Sequence, residues 1–187
     1  MKKKIVIGLV SVILMLTVSI IPLESATDEQ AYAGNQLRIL GLMKGYTDGS
    51  LKLDNKIIRA EVAALLIRTL GYSDKVVLGQ EKAFTDIEKG YWAVEDIQKA
   101  YKLKLIVGDP GGTFRPTENI KYAEVITIMV NALGKNQELE GDWPNNYIKR
   151  AEEIGIIPKD DHGDIFRKVT RGEVSVILWD TILVKRN

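Results

Sequence analysis

One stretch of the chain recurs, and the recurrence limits what the chain can fold into. Residues 108–124 read as a glycine-rich turn, an extended Phe114-Arg115-Pro116 segment and the first turn of a helix. Residues 45–61 match them without a gap: Gly45 falls on Gly108, Gly49 on Gly112, Leu51 on Phe114, Ile57 on Ile120 and Glu61 on Glu124. A third copy, residues 157–173 set against 107–124, aligns as one residue shorter and ends on Glu173. The matched glutamates stand 63 and 49 positions apart, a spacing that belongs to helical repeat arrays. Two of the copies follow an aromatic opening, Trp92 through Ile97 to Ala100 and Trp143 through Ile148 to Ala151.

Apolar residues at three-and-four spacing flank each turn. Val62, Leu65, Leu66 and Leu70 predict a helix over 59–70, stopped by Gly71, and 122–133 and 171–183 repeat it. Residues 92–105 and 143–154 predict the preceding helices. Residues 35–42 form a shorter candidate without an aromatic opening, so the first repeat is expected to begin truncated. No segment alternates at period two, and the expected fold is all-α. Units below about 60 residues bury too little apolar surface alone. Three helix-loop-helix units therefore predict a closed pseudo-threefold bundle, with the second helix of each repeat at a shared centre. The expected divisions are 1–33, 34–72 for repeat 1, a linker over 73–82, 83–134 for repeat 2 and 135–187 for repeat 3.

The N-terminus carries Lys2, Lys3 and Lys4, then an uncharged apolar run over 5–21, then Ala31-Tyr32-Ala33. That order is a signal peptide with cleavage expected after Ala33. The apolar run is also long enough for an uncleaved membrane anchor. A net charge of +1, from 26 basic and 25 acidic residues, gives no support for a nucleic-acid partner. With no cysteine, an exported chain must be held by packing alone.

At these residues the chain resembles the S-layer homology family of bacterial surface proteins. The second copy carries Phe84-Thr85-Asp86, Trp92-Ala93 and Gly112-Thr113-Phe114-Arg115-Pro116 of that pattern; the last carries Thr170-Arg171-Gly172-Glu173 and the first Arg59-Ala60-Glu61. The resemblance covers about residues 35–183. It implies a secreted, wall-anchoring module on the cell surface whose partner is a secondary cell-wall polysaccharide bearing pyruvate ketals, with the motif arginine on the ketal carboxylate. Carried over by position, Arg59 and Arg171 are the expected ligand residues.

Thr170 and Glu173 also read as a capping box, which leaves Arg171 unexplained, because positive charge is unfavourable in a first helical turn. A guanidinium fork beside free helix N-terminal amides makes an anion site, and Arg59 with Glu61 and Arg171 with Glu173 fit that description. The forks are expected to face outward crevices. Ile58 replaces the capping threonine, and Lys121-Tyr122-Ala123-Glu124 lacks both threonine and arginine, so at most two competent grooves are expected. Trp92 and Trp143 either stack on a sugar or fill space between repeats; a tryptophan opening an amphipathic helix favours packing. Asp48, Gly49, Gly111 and Gly112 are turn chemistry whose amides could also face a ligand.

Other chemistry is poorly provided for. His162, the one histidine, lies in a polar loop and reads as a surface residue, and zinc lacks ligands. Asp160, Asp161 and Asp164 do not make a calcium loop. No cofactor is expected, and no nucleophile is assembled for a small wall hydrolase. The rival expectation is a protein-interaction module that binds a separate surface protein, held at the membrane only if the leader stays uncleaved.

Overall fold

The computed structural model describes residues 25–74, 83–160 and 162–184. They form six helices: α1 (Asp28–Ile39), α2 (Arg59–Thr69), α3 (Val94–Lys102), α4 (Tyr122–Ala132), α5 (Asn145–Glu153) and α6 (Arg171–Leu183). No strand occurs among the described residues, only three isolated bridges, and the fold is all-α as expected. The apolar run over 5–21, and most of the expected linker, lie outside the described residues.

The core is built at matched register positions. Val62, Val125 and Val174 are fully buried, as are Leu66, Met129 and Leu178 one turn later. Burying one such side chain contributes about 1.5–3 kcal/mol, so α2, α4 and α6 hold most of the interior. The outer helices pack across the repeats: α3 lies on α2, α5 on α4 and α1 on α6, with α4 also touching α6. The two helices that flank one loop are not among these pairs, so the packed unit is not the hairpin that the sequence order suggests.

The segments entering α2, α4 and α6 meet one another. Bridges join Lys56 to Thr170, Ile58 to Asn119 and Lys121 to Lys168. Each segment also supplies carbonyls to another's helix. Arg59 and Ala60 amides donate to Glu118 and Pro116, those of Tyr122 and Ala123 to Arg167 and Ile165, and those of Arg171 and Gly172 to Asn55 and Leu53. Orphan amides at three helix starts are thereby satisfied by backbone. This corrects one expectation: these amides are not free to hold an anion.

α1 is longer than the expected 35–42 segment. α1 starts at Asp28, where Thr27 accepts from the Gln30 amide and the Gln30 side chain accepts from the Thr27 amide, a capping box. Ala33 and Gly34 are buried in it, so the expected cleavage after Ala33 falls inside a packed helix. The third loop is shorter than the alignment implied. Ile156 bonds back to Ala151 as Leu105 does to Ala100, a register of 51, whereas Arg167 and Glu118 stand 49 apart. Two residues are missing there, not one.

Candidate functional site

The glutamate of each motif has two jobs, one per oxygen. Oε2 of Glu61, Glu124 and Glu173 accepts from the amides of Ile58, Lys121 and Thr170 at 3.0, 2.8 and 2.7 Å. Only Thr170 completes the box with its hydroxyl. The Oε1 oxygens take guanidiniums: Arg59 reaches Glu124 at 2.7 Å and Arg171 reaches Glu61 at 2.9 Å. The motif arginine therefore pairs with the glutamate of another copy, not its own. Arg59 also donates from Nε to the Phe114 carbonyl, and Arg171 to the Leu51 carbonyl, at equivalent register. These two guanidiniums lace the first copy to the second and the third to the first.

Each pair forms the wall of a cleft. Groove 1, about 200 Å³, is lined by Lys44, Gly45, Tyr46, Glu61, Leu65, Arg68, Trp92 and Arg171. Groove 2, about 210 Å³, includes Val107, Gly108, Asp109, Glu124, Ile128, Asn131, Trp143 and Arg59 at the corresponding positions, with Arg115 and Thr127 beside them. Trp92 is 58% exposed and Trp143 48%. Trp143 donates its indole N–H to Thr127 Oγ1 at 2.9 Å. In groove 1 the Arg171 guanidinium lies over the Tyr46 ring and Tyr46 Oη donates to Glu61; in groove 2 Arg59 lies over the Phe114 ring.

The third equivalent position is built differently. Tyr122 stands where an arginine would, buried and stacked on His162. Glu173 Oε1 is taken instead by Arg167, 2.5 Å away and over the Tyr122 ring. The register of the helix-end bonds puts Glu29 of α1 at the position of Trp92 and Trp143. It also puts Asp180 of α6 at the position of Arg68 and Asn131. Burial, reinforced by Glu29, pushes the Asp180 carboxyl above its ordinary range.

Residues 83–126 match the family model of the S-layer homology domain. The chain is similar to bacterial surface proteins over a wider span. It is 34% identical over 122 residues to the middle cell wall protein of Brevibacillus brevis, covering 65% of this chain and 12% of that protein. It is 30% identical over 164 residues to a cell surface protein of Thermoanaerobacter kivui, covering 84% and 21%. It is 32% identical over 130 residues to a cellulosome-anchoring protein of Acetivibrio thermocellus, covering 62% and 29%. The chain thus spans less than a third of the length of each of these relatives.

The fold brings only part of the expected ligand set together. Arg171, Glu61 and Trp92 share groove 1, and Arg59 and Trp143 share groove 2. Thr170 and Glu173 lie apart, beside Lys56, Arg167 and Lys168. Gly49 and Gly112 close the loop turns at positive φ, and their amides donate to Tyr46 and Asp109 carbonyls. Asp48 is engaged with Ser50, and Gly111 is exposed beside Gly112. The arginines are not outward forks: Arg59 is 7% and Arg171 4% exposed, both ion-paired. The tryptophans are exposed and not core. His162 is no free surface residue either, since its ring is held between Tyr122 and Glu152.

Sequence reasoning missed Arg68 and Lys44 in groove 1. Arg68 donates to the Leu42 carbonyl and is half-buried, and burial pulls its guanidinium below the ordinary value while Asp96 opposes the shift. Comparing position 68 with its register partners 131 and 180 would have exposed the contrast.

Proposed function

We propose that the chain is a noncovalent cell-wall anchoring module of the bacterial surface that binds an acidic, pyruvylated secondary wall polysaccharide in grooves 1 and 2. One observation carries this reading: two equivalent clefts each present a half-exposed tryptophan face beside a buried guanidinium. An exposed indole offers an apolar face to a sugar ring. Arg171 adds positive field from the wall of groove 1 without leaving its glutamate, and Arg59 fixes the wall of groove 2. The similarity to a middle cell wall protein and a cellulosome-anchoring protein supports the same surface location. The role is binding, not catalysis.

Sedimentation with purified walls tests it. Trp92→Ala with Trp143→Ala, both exposed and so tolerated by the fold, abolishes binding while the helical circular dichroism stays unchanged. Undiminished sedimentation of the folded double variant refutes the reading. A protein-interaction module is the second reading, favoured by the exposed Ile39 and Leu183 at the ends of α1 and α6 and by Leu40 just after α1; it predicts that the double variant still reaches the surface.

A further inference from the structure

Three register-matched positions on α2, α4 and α6 carry opposite chemistry: Arg68 in groove 1, Asn131 in groove 2 and Asp180 at the third position. The residue before the loop glycine differs in the same sense, Lys44 in groove 1 and Val107 in groove 2. Groove 1 therefore has three cations, Lys44, Arg68 and Arg171, against one lining carboxylate, Glu61. Asp96 stands behind Arg68 and lowers this excess without cancelling it.

Groove 2 is electrically closed. Arg115 holds Asp109 through two nitrogens at 2.6 and 3.1 Å and Glu118 through a third at 2.7 Å. Arg59 holds Glu124. The other polar groups lining it are neutral and already partnered: the indole of Trp143 donates to the Thr127 hydroxyl, Thr127 donates to the Ala123 carbonyl, and the Asn131 amide sits between the Leu105 carbonyl and the Tyr147 hydroxyl. An unpaired anion entering groove 2 would face carboxylates already turned toward arginines. A sugar hydroxyl meets donors and acceptors of ordinary strength.

Resting on the wall-polymer reading above, we propose that the two grooves read different parts of one polymer. Groove 1 takes the acidic substituent, held by Arg68 and Lys44. Groove 2 takes an uncharged sugar ring, held by Trp143, Thr127 and Asn131. Position 68 and its equivalents set this choice, and the acidic third position, with Asp180 and Glu29, admits no anion.

The indole N–H resonances of Trp92 and Trp143 report the two grooves separately in the full chain. A hexosamine carrying a pyruvate ketal should shift the Trp92 signal saturably, and the same sugar without the ketal should shift Trp143 at least as strongly as Trp92. Arg68→Gln should weaken the ketal sugar at Trp92 at least tenfold while the Trp143 response stays put. Asn131→Arg should draw the ketal sugar to Trp143, which keeps the test open should Arg68→Gln unfold. Equal response of both indoles to the ketal sugar, no response of either, or no effect of both variants overturns the proposal. Wall sedimentation of the same samples separates the two ideas. Wall binding without groove selectivity sinks this proposal alone, and loss of wall binding by the unmodified chain sinks the function it rests on.

Discussion

Groove 1 and groove 2 have the same frame and different charge. Both place a tryptophan two residues ahead of an outer helix, a glutamate in the first turn of an inner helix, and an arginine from another copy upon that glutamate. The frame is repeated because it is structural: an Arg–Glu pair ties adjacent copies whatever the cleft binds. The chemistry is free to vary two turns along, where Arg68 in groove 1 corresponds to Asn131 in groove 2. The third position shows how far this goes. There the frame itself is rebuilt, with Arg167 reaching Glu173 from the loop because Tyr122 replaced the arginine.

The largest expected effects test the frame. Arg171→Met and Arg59→Met each strand a part-buried carboxylate and a loop carbonyl, and each should cost about 3 kcal/mol in urea unfolding. Arg167→Met removes a pair whose guanidinium is 37% exposed and should cost about 1 kcal/mol or less. Equal losses from all three would break the distinction between built and rebuilt positions.

Next comes the loop. A Cβ at Gly108 would stand 2.3 Å from the Phe84 ring and 2.6 Å from the Thr113 carbonyl, whereas at Gly45 the nearest atom, the Ser50 carbonyl, is 3.2 Å away. Gly108→Ala should therefore cost about 1–3 kcal/mol, and Gly45→Ala clearly less.

The smallest effect concerns the acidic position. The folded Asp180 carboxyl titrates above its unfolded value because of burial and Glu29. Its ionisation thus opposes folding, fully so at neutral pH and progressively less as pH falls through its raised pKa. Asp180→Asn should stabilise the chain at pH 7 by well under 1 kcal/mol, after solvent screening, with the gain shrinking toward pH 4 in thermal melts.

Much of this was legible in the chain itself. The periodicity of 59–70 and 171–183 predicts α2 and α6 to within a residue, because their apolar stripes and stops are local. The start of α1 was equally local, in Thr27 and Gln30, but Ala31-Tyr32-Ala33 reads as a cleavage signal and masks it. What sequence could not show was partnership. Nothing in Arg171 names Glu61, 110 positions away, and the motif invites the wrong pairing with its own glutamate. The tryptophans mislead for a related reason: burial depends on which helix lies opposite, and the outer helices pack on a different copy from the one their order suggests. His162 looked solvated because its loop is polar, yet the fold closes Tyr122 and Glu152 around it.

Binding isotherms on purified walls, before and after chemical removal of their acidic ketals, test the central claim most directly. One charge-assisted contact contributes about 1.5–3 kcal/mol, and about 1.4 kcal/mol is tenfold in affinity. Stripped walls should bind the chain at least tenfold more weakly, with the residual binding lost on Trp143→Ala. Superimposable isotherms on the two wall preparations would contradict it.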